Sequence, residues 1–100
     1  MLKSELIETI TQQLPNLSLE DSAKSVNLIL ELMTKSLSQG ERIEIRCFGS
    51  FALRYRNPRK AHNPKTGQRV QTKGKHRPHF KPGKELRDRV NKSLPPVETT

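Results

Sequence analysis

Arg42-Ile43-Glu44-Ile45-Arg46-Cys47-Phe48-Gly49-Ser50-Phe51-Ala52-Leu53-Arg54-Tyr55-Arg56 is the stretch that decides the fold. Apolar and charged side chains alternate along it with a period of two. Ile43, Ile45 and Cys47 interleave with Arg42, Glu44 and Arg46, and Phe51, Leu53 and Tyr55 interleave with Ala52, Arg54 and Arg56. Such alternation marks half-buried strands with one apolar and one charged face. Phe48-Gly49-Ser50 is expected to join two of them tightly, with Cys47 turned inward as a buried structural thiol.

Upstream the period is about 3.6. Leu6, Ile7, Ile10 and Leu14 share one helical face, and Pro15 ends that helix. Ser18-Leu19-Glu20-Asp21 resembles a capping box, with Asp in the place of the usual Glu. Leu19, Ala23, Val26, Leu30, Met33 and Leu37 then form a stripe that Leu28, Ile29 and Leu32 widen beyond the reach of one short partner helix. Gly40 stops the second helix. The core is thin, with 31% hydrophobic residues and no Trp in 100 residues. Pooling apolar faces in a dimer remedies this. Val26, Ile29, Leu30, Met33, Leu37, Phe48, Phe51 and Phe80 are the candidate interface.

Downstream, the segment from Arg54 to Lys84 contains no Asp or Glu and carries the bulk of the chain's Lys and Arg. Asn57-Pro58 and Asn63-Pro64 disfavour helix, and Thr66-Gly67 is a turn signal. Arg69 to Lys75 can return antiparallel to Arg56 to Lys60, forming an arm over about 56–75 with hardly any apolar residue besides Val70. Such an arm has no core of its own and awaits a polyanion to order it. His76 to Lys81 reads as a third strand anchored by Phe80. Pro82-Gly83 leads into a short helix over Lys84 to Asn91, and residues 92–100 read as an unstructured tail. The expected class is α+β: an N-terminal helical hairpin, a three-stranded antiparallel sheet with a long protruding β-arm and a short C-terminal helix, in an intertwined dimer.

The charge is localised. Residues 1–40 hold three basic and five acidic side chains, net −2; residues 41–100 hold sixteen and five, net +11; together they make the total of +9. This favours a binding surface for a polyanion, duplex DNA first. The single cysteine, Cys47, allows no internal disulfide, which fits a reducing cytoplasm. No apolar run approaches the ~20 residues of a membrane span, and the N-terminus lacks the apolar run of a signal peptide. His76 and His79, with one distant cysteine, make a poor metal site. No nucleophile stands beside a base, so neither catalysis nor a cofactor is expected. A single-strand RNA reader would need stacking aromatics, and the arm offers only Tyr55 at its base.

Arg46-Cys47-Phe48-Gly49-Ser50-Phe51, Asn63-Pro64-Lys65-Thr66-Gly67 and Pro78-His79-Phe80-Lys81-Pro82-Gly83-Lys84 together resemble the bacterial HU and integration host factor family, over about residues 2–91. Arg42 to Arg46 and Phe80 to Arg89 look most like its integration host factor β subunits. The resemblance implies a DNA-binding domain over 1–91 in a dimer with two minor-groove arms, bending duplex DNA for transcription, recombination and replication. Insertion of apolar wedges by this family is a known mechanism of minor-groove binders; here the wedge falls on Pro64. The DNA-contact set carried over is Arg42, Glu44, Arg46, Arg54, Arg56, Arg59, Lys60, His62, Asn63, Pro64, Lys65, Arg69, Lys73, Lys75, Arg77, Lys81, Lys84 and Arg87. Within it, Glu44 is expected to orient Arg46 toward a narrow minor groove. The implied partner is an integration host factor α subunit, and the implied location is the cytoplasmic nucleoid. The alternative is an HU-like homodimer with little sequence preference, against which Arg46 speaks. Two departures stand out: Cys47 replaces a glycine of the family, and Lys60-Ala61-His62 replaces its common Thr-Gly-Arg approach to the tip.

Overall fold

The computed structural model describes residues 1–62, 69–72 and 74–95. They fall into two compact units, Met1–Ser36 and Leu37–Thr100.

The first unit holds helices α1 (Lys3–Gln13) and most of α2 (Leu19–Ser38). Leu6, Ile7 and Ile10 are half-buried on one side of α1, as their spacing requires. The Leu14 amide closes its end on the Ile10 carbonyl. The Ser18 hydroxyl accepts the Asp21 amide at 3.0 Å, so the capping residue read from the sequence is the one that starts α2. Lys3 Nζ donates to Asn27 Oδ1 at 2.9 Å and ties the two helices.

Val26 is only 4% exposed and Ser22 fully buried, one helical turn apart on the side of α2 that the chain itself covers. This corrects the interface expectation for Val26, which is a core residue of the single chain. Leu28, Ile29, Leu30 and Leu32 stay exposed, and Met33 and Leu37 are half-buried. Among the described residues the buried Ser22 hydroxyl has no hydrogen-bond partner. An orphaned buried hydroxyl is costly, and Ala also suits a helix better than Ser. Ser22→Ala should therefore stabilise the protein by about 1 kcal/mol, read as a higher urea midpoint at unchanged m-value.

In the second unit Gly40, at φ +82, ends α2 with its amide on the Leu37 carbonyl. Five strands follow: β1 (Ile43–Ile45), β2 (Gly49–Arg56), β3 (Arg59–His62), β4 (Arg69–Thr72) and β5 (Lys75–Pro82); helix α3 (Lys84–Ser93) closes the chain. The sheet order is β1-β2-β5, with β3-β4 as a separate pair, all antiparallel. One register runs through both pairs. Gly49 opposes Pro82 and His62 opposes Arg69, and the residue numbers sum to 131 in each case. Among the described residues β3-β4 thus keeps the register of the β2-β5 ribbon, so that its faces continue those of the sheet.

The strand connection differs from expectation. The Phe48 amide bonds the Ile45 carbonyl at 3.0 Å, and Cys47 takes φ 68 inside that turn. The joint is therefore Arg46 to Phe48, and Gly49 and Ser50 already belong to β2. A positive φ at the third turn position is the signature of a type II turn and favours glycine. The alternation of β1 stops at Ile45, so Cys47 is exposed rather than buried inward.

Phe80 is the centre of the apolar face, 4.8 Å from the Phe51 ring and 5.4 Å from that of Phe48. A Cβ on Gly49 would come within 2.7 Å of the Phe80 ring and 2.6 Å of the Lys81 carbonyl, so only glycine lets the strands close there. The Gly83 amide donates to the Phe48 carbonyl at 2.8 Å and fixes the start of α3. That helix includes Lys92 and Ser93, which the sequence reading assigns to the tail; the Ser93 hydroxyl donates to the Arg89 carbonyl at 2.8 Å and extends it. Residues 96–100 lie outside the described residues.

Candidate nucleic-acid interface

Directly opposed residues of an antiparallel pair share a face, and the face changes at each step. The observed register therefore sorts the sheet completely. Ile43, Phe51 and Phe80 lie across one face, with Leu53 opposite Pro78 and Tyr55 opposite His76. Glu44, Ser50 and Lys81 lie across the other, followed by Ala52 with His79, Arg54 with Arg77 and Arg56 with Lys75. One face is apolar; the other is basic.

Arg54, Arg56, Lys75, Arg77 and Lys81 are all exposed on that basic face. Among the described residues none has a carboxylate partner. Arg54 directly opposes Arg77, and Arg56 directly opposes Lys75. Like charges in such pairs destabilise a sheet, and a polyanion removes the repulsion.

At the β1 end of the sheet, Arg42, Glu44, Arg46, Ser50 and Lys81 line a shallow concavity of about 480 Å³. Glu44 Oε1 accepts a hydrogen bond from Arg42 Nη2 at 3.2 Å, and both side chains are exposed. Arg46 has no ion pair among the described residues. In the structure Glu44 pairs with Arg42, just before β1, and Arg46 has entered the turn. An exposed pair of this kind contributes ~0–1 kcal/mol, and among the described residues no carboxylate pairs with Arg46. Ser50, on the basic face between Glu44 and Lys81, escaped the sequence reading because a small hydroxyl carries no signal until its register is known.

The rest of the expected contact set distributes as follows. Lys84 and Arg87 lie on α3. Arg59, Lys60 and His62 lie on β3 and Arg69 on β4, with Arg59 opposite Thr72 and Lys60 opposite Gln71. Asn63, Pro64, Lys65 and Lys73 lie outside the described residues. Of the expected interface residues, Phe48 is substantially exposed and Phe51 and Phe80 are half-buried against each other. Among the described residues no group of three His, Cys, Asp or Glu side chains could hold a metal ion, and no helix is long and apolar enough to cross a membrane.

No local signal in the chain marks the contact between Cys47 and Glu85. The exposed thiol donates to the Glu85 carboxylate; this hydrogen bond first, then the Glu85 charge and slight desolvation, raise the thiol pKa. The protonated thiol is the form favoured in the fold. The stability it contributes is present below the thiol's unfolded pKa and is lost as pH rises through the raised folded value. Alkylation of Cys47 by iodoacetamide should therefore reach half its limiting rate at a higher pH than a free thiol does. Glu85→Gln should move that midpoint down; coincident profiles would refute the contact.

The comparisons agree with this geometry. Over 94 residues the chain is 62% identical to integration host factor subunit beta of Colwellia psychrerythraea, covering 94% of this chain and 99% of that one. It is 61% identical to integration host factor subunit beta of Hahella chejuensis, covering 94% and 96%. Its fold matches HU from Anabaena, as seen in a cocrystal with DNA, at a TM-score of 0.82 and 27% identity, covering 91% of this chain and 98% of that one. The bacterial DNA-binding protein profile matches residues 1–91. A sheet with one basic and one apolar face, continued into a ribbon in unbroken register, is thus the framework of a chain that belongs to the bacterial DNA-binding protein family of HU and integration host factor.

Proposed function

We propose that this chain is an architectural subunit that binds duplex DNA on the basic face of the β1-β2-β5 sheet and bends it with its arms, at the bacterial nucleoid. The carrying observation is the unneutralised strip of Arg54, Arg56, Lys75, Arg77 and Lys81 on one face of a ribbon that continues into the arm without changing register. Phosphate contacts along that strip position the duplex, and Arg42 and Arg46 stand at its edge where a groove can be read. Pro64 is the wedge that unstacks a base step, at a cost of a few kcal/mol recovered through contacts on the bent duplex.

The chain acts as a dimer. Ile29 and Leu30 on α2 and Phe48 beside the sheet leave apolar surface exposed on a single copy, and a small chain needs such surface covered. Its likeness to integration host factor β subunits favours a related α subunit as the partner over a second copy of itself. No chemistry is assigned to it.

End-to-end FRET on a labelled duplex of ~40 bp, far below the persistence length of ~150 bp, tests the reading. Titration with the chain and an α subunit should raise transfer strongly, and Pro64→Ala should lower that rise more than it lowers affinity. Binding without a rise would reject bending, and equal transfer by the Pro64 variant would reject the wedge.

A further inference from the structure

The ribbon has one interruption. Its ladder stops at Arg56 opposite Lys75 and resumes at Arg59 opposite Thr72, leaving Asn57, Pro58 and Gly74 outside the paired residues. Pro58 has no amide to give, and glycine offers no side chain to pack. A two-stranded ribbon bends most easily where its ladder bonds are missing.

Tyr55 stands at that gap. It directly opposes His76, with ring centroids 5.0 Å apart. A Cβ placed on Gly74 would collide with the Tyr55 hydroxyl and lie 2.7 Å from its ring carbon. The ring therefore lies along the strand from its own partner toward the glycine two residues before it. This is the diagonal that an aromatic side chain can span on an antiparallel pair. Aromatic cover of a cross-strand glycine is a recognised way to hold a weak point in a ribbon. Tyr55 is nevertheless 56% exposed, so the ring adds little to the core. It also lies on the face opposite the basic strip.

We propose that Tyr55, seated over Gly74 and stacked on His76, is a splint that sets the angle at which the arm leaves the sheet. It is a positioning residue for DNA bending, and the inference rests on the bending function proposed above. Without the ring the arm samples several angles, of which only a fraction suits the bent duplex. The apparent dissociation constant then rises by the inverse of that fraction.

The test uses the DNA-bending dimer on the labelled duplex, with wild type, Tyr55→Ala, Tyr55→Phe and Gly74→Ala. Tyr55→Ala should move the half-saturation of the FRET rise upward by about two- to fivefold. The salt slope should not change, because Tyr55 carries no charge and the basic phosphate contacts stay in place, and Tyr55→Phe separates a direct contact of the hydroxyl from the stacking of the ring. Tyr55→Phe should behave as wild type. Gly74→Ala should reproduce the loss with Tyr55 intact, by forcing the ring off its seat, and it serves if Tyr55→Ala fails to fold. Unchanged half-saturation in both alanine variants, a reduced salt slope, or a Tyr55→Phe that matches Tyr55→Ala would each overturn the splint. Wild-type protein that binds without bending would reject the function instead. The splint is then read in the free protein from the upfield ring-current shift of the Gly74 α-protons, which Tyr55→Ala should abolish; its absence in wild type overturns the splint alone.

Discussion

Arg77→Glu is expected to weaken DNA binding and strengthen the fold at once. Arg77 directly opposes Arg54 on the exposed basic face, and neither has a carboxylate partner among the described residues. In the free protein the substitution turns a repulsive cross-strand pair into an attractive one. Such pairs contribute roughly 0.2–1 kcal/mol in either direction, so the denaturation midpoint should rise modestly. On DNA it removes a charged contact of about 1.5–3 kcal/mol and adds repulsion, a loss of about tenfold to a hundredfold or more. The slope of log affinity against log salt should shrink by about 0.9 or more. Filter binding across a salt series and urea denaturation of the same preparation measure both sides. A variant that lost stability and kept its salt slope would remove this face from the DNA interface.

Phe80→Ala should cost about 3 kcal/mol or more, the lower part of the range for a core Phe because the ring is half-buried. Phe80 touches both Phe48 and Phe51, and Gly49 is shaped to receive it. A small domain has about 5–15 kcal/mol in total, and this one has little else in its core. Unfolding should shift to markedly lower urea, with a midpoint that also depends on protein concentration where a partner chain covers the same face. A loss below ~1 kcal/mol would mean that the aromatic trio is not the sheet's core.

Much of this was legible because local rules govern it. Ser18 announced the start of α2 and Gly40 its end, each through a backbone group that only certain residues satisfy. The period-two pattern placed β1 and β2, Phe80 marked the strand that is β5, and the basic run without acidic residues pointed to a polyanion. The misreadings have local causes as well. Cys47 continues the alternation by chemistry, yet the chain turns one residue earlier; Val26 belongs to an apolar stripe that cannot say which of its members the chain covers itself.

The residue sequence by itself determined the helices, the strands, the place of the turn-rich arm and the sign of its charge, because propensity, capping and periodicity act over a few neighbours. Only the tertiary structure decided which side chains share a face. Strand register, which no local signal carries, set Arg54 against Arg77 and Ser50 beside Lys81 and laid Tyr55 over Gly74, while the docking of α3 on the turn brought Glu85 to Cys47. A slip of one residue would turn the side chains of the slipped strand to the other face. The basic face is therefore a property of the pairing, held by Gly49 and Phe80, more than of the basic residues alone.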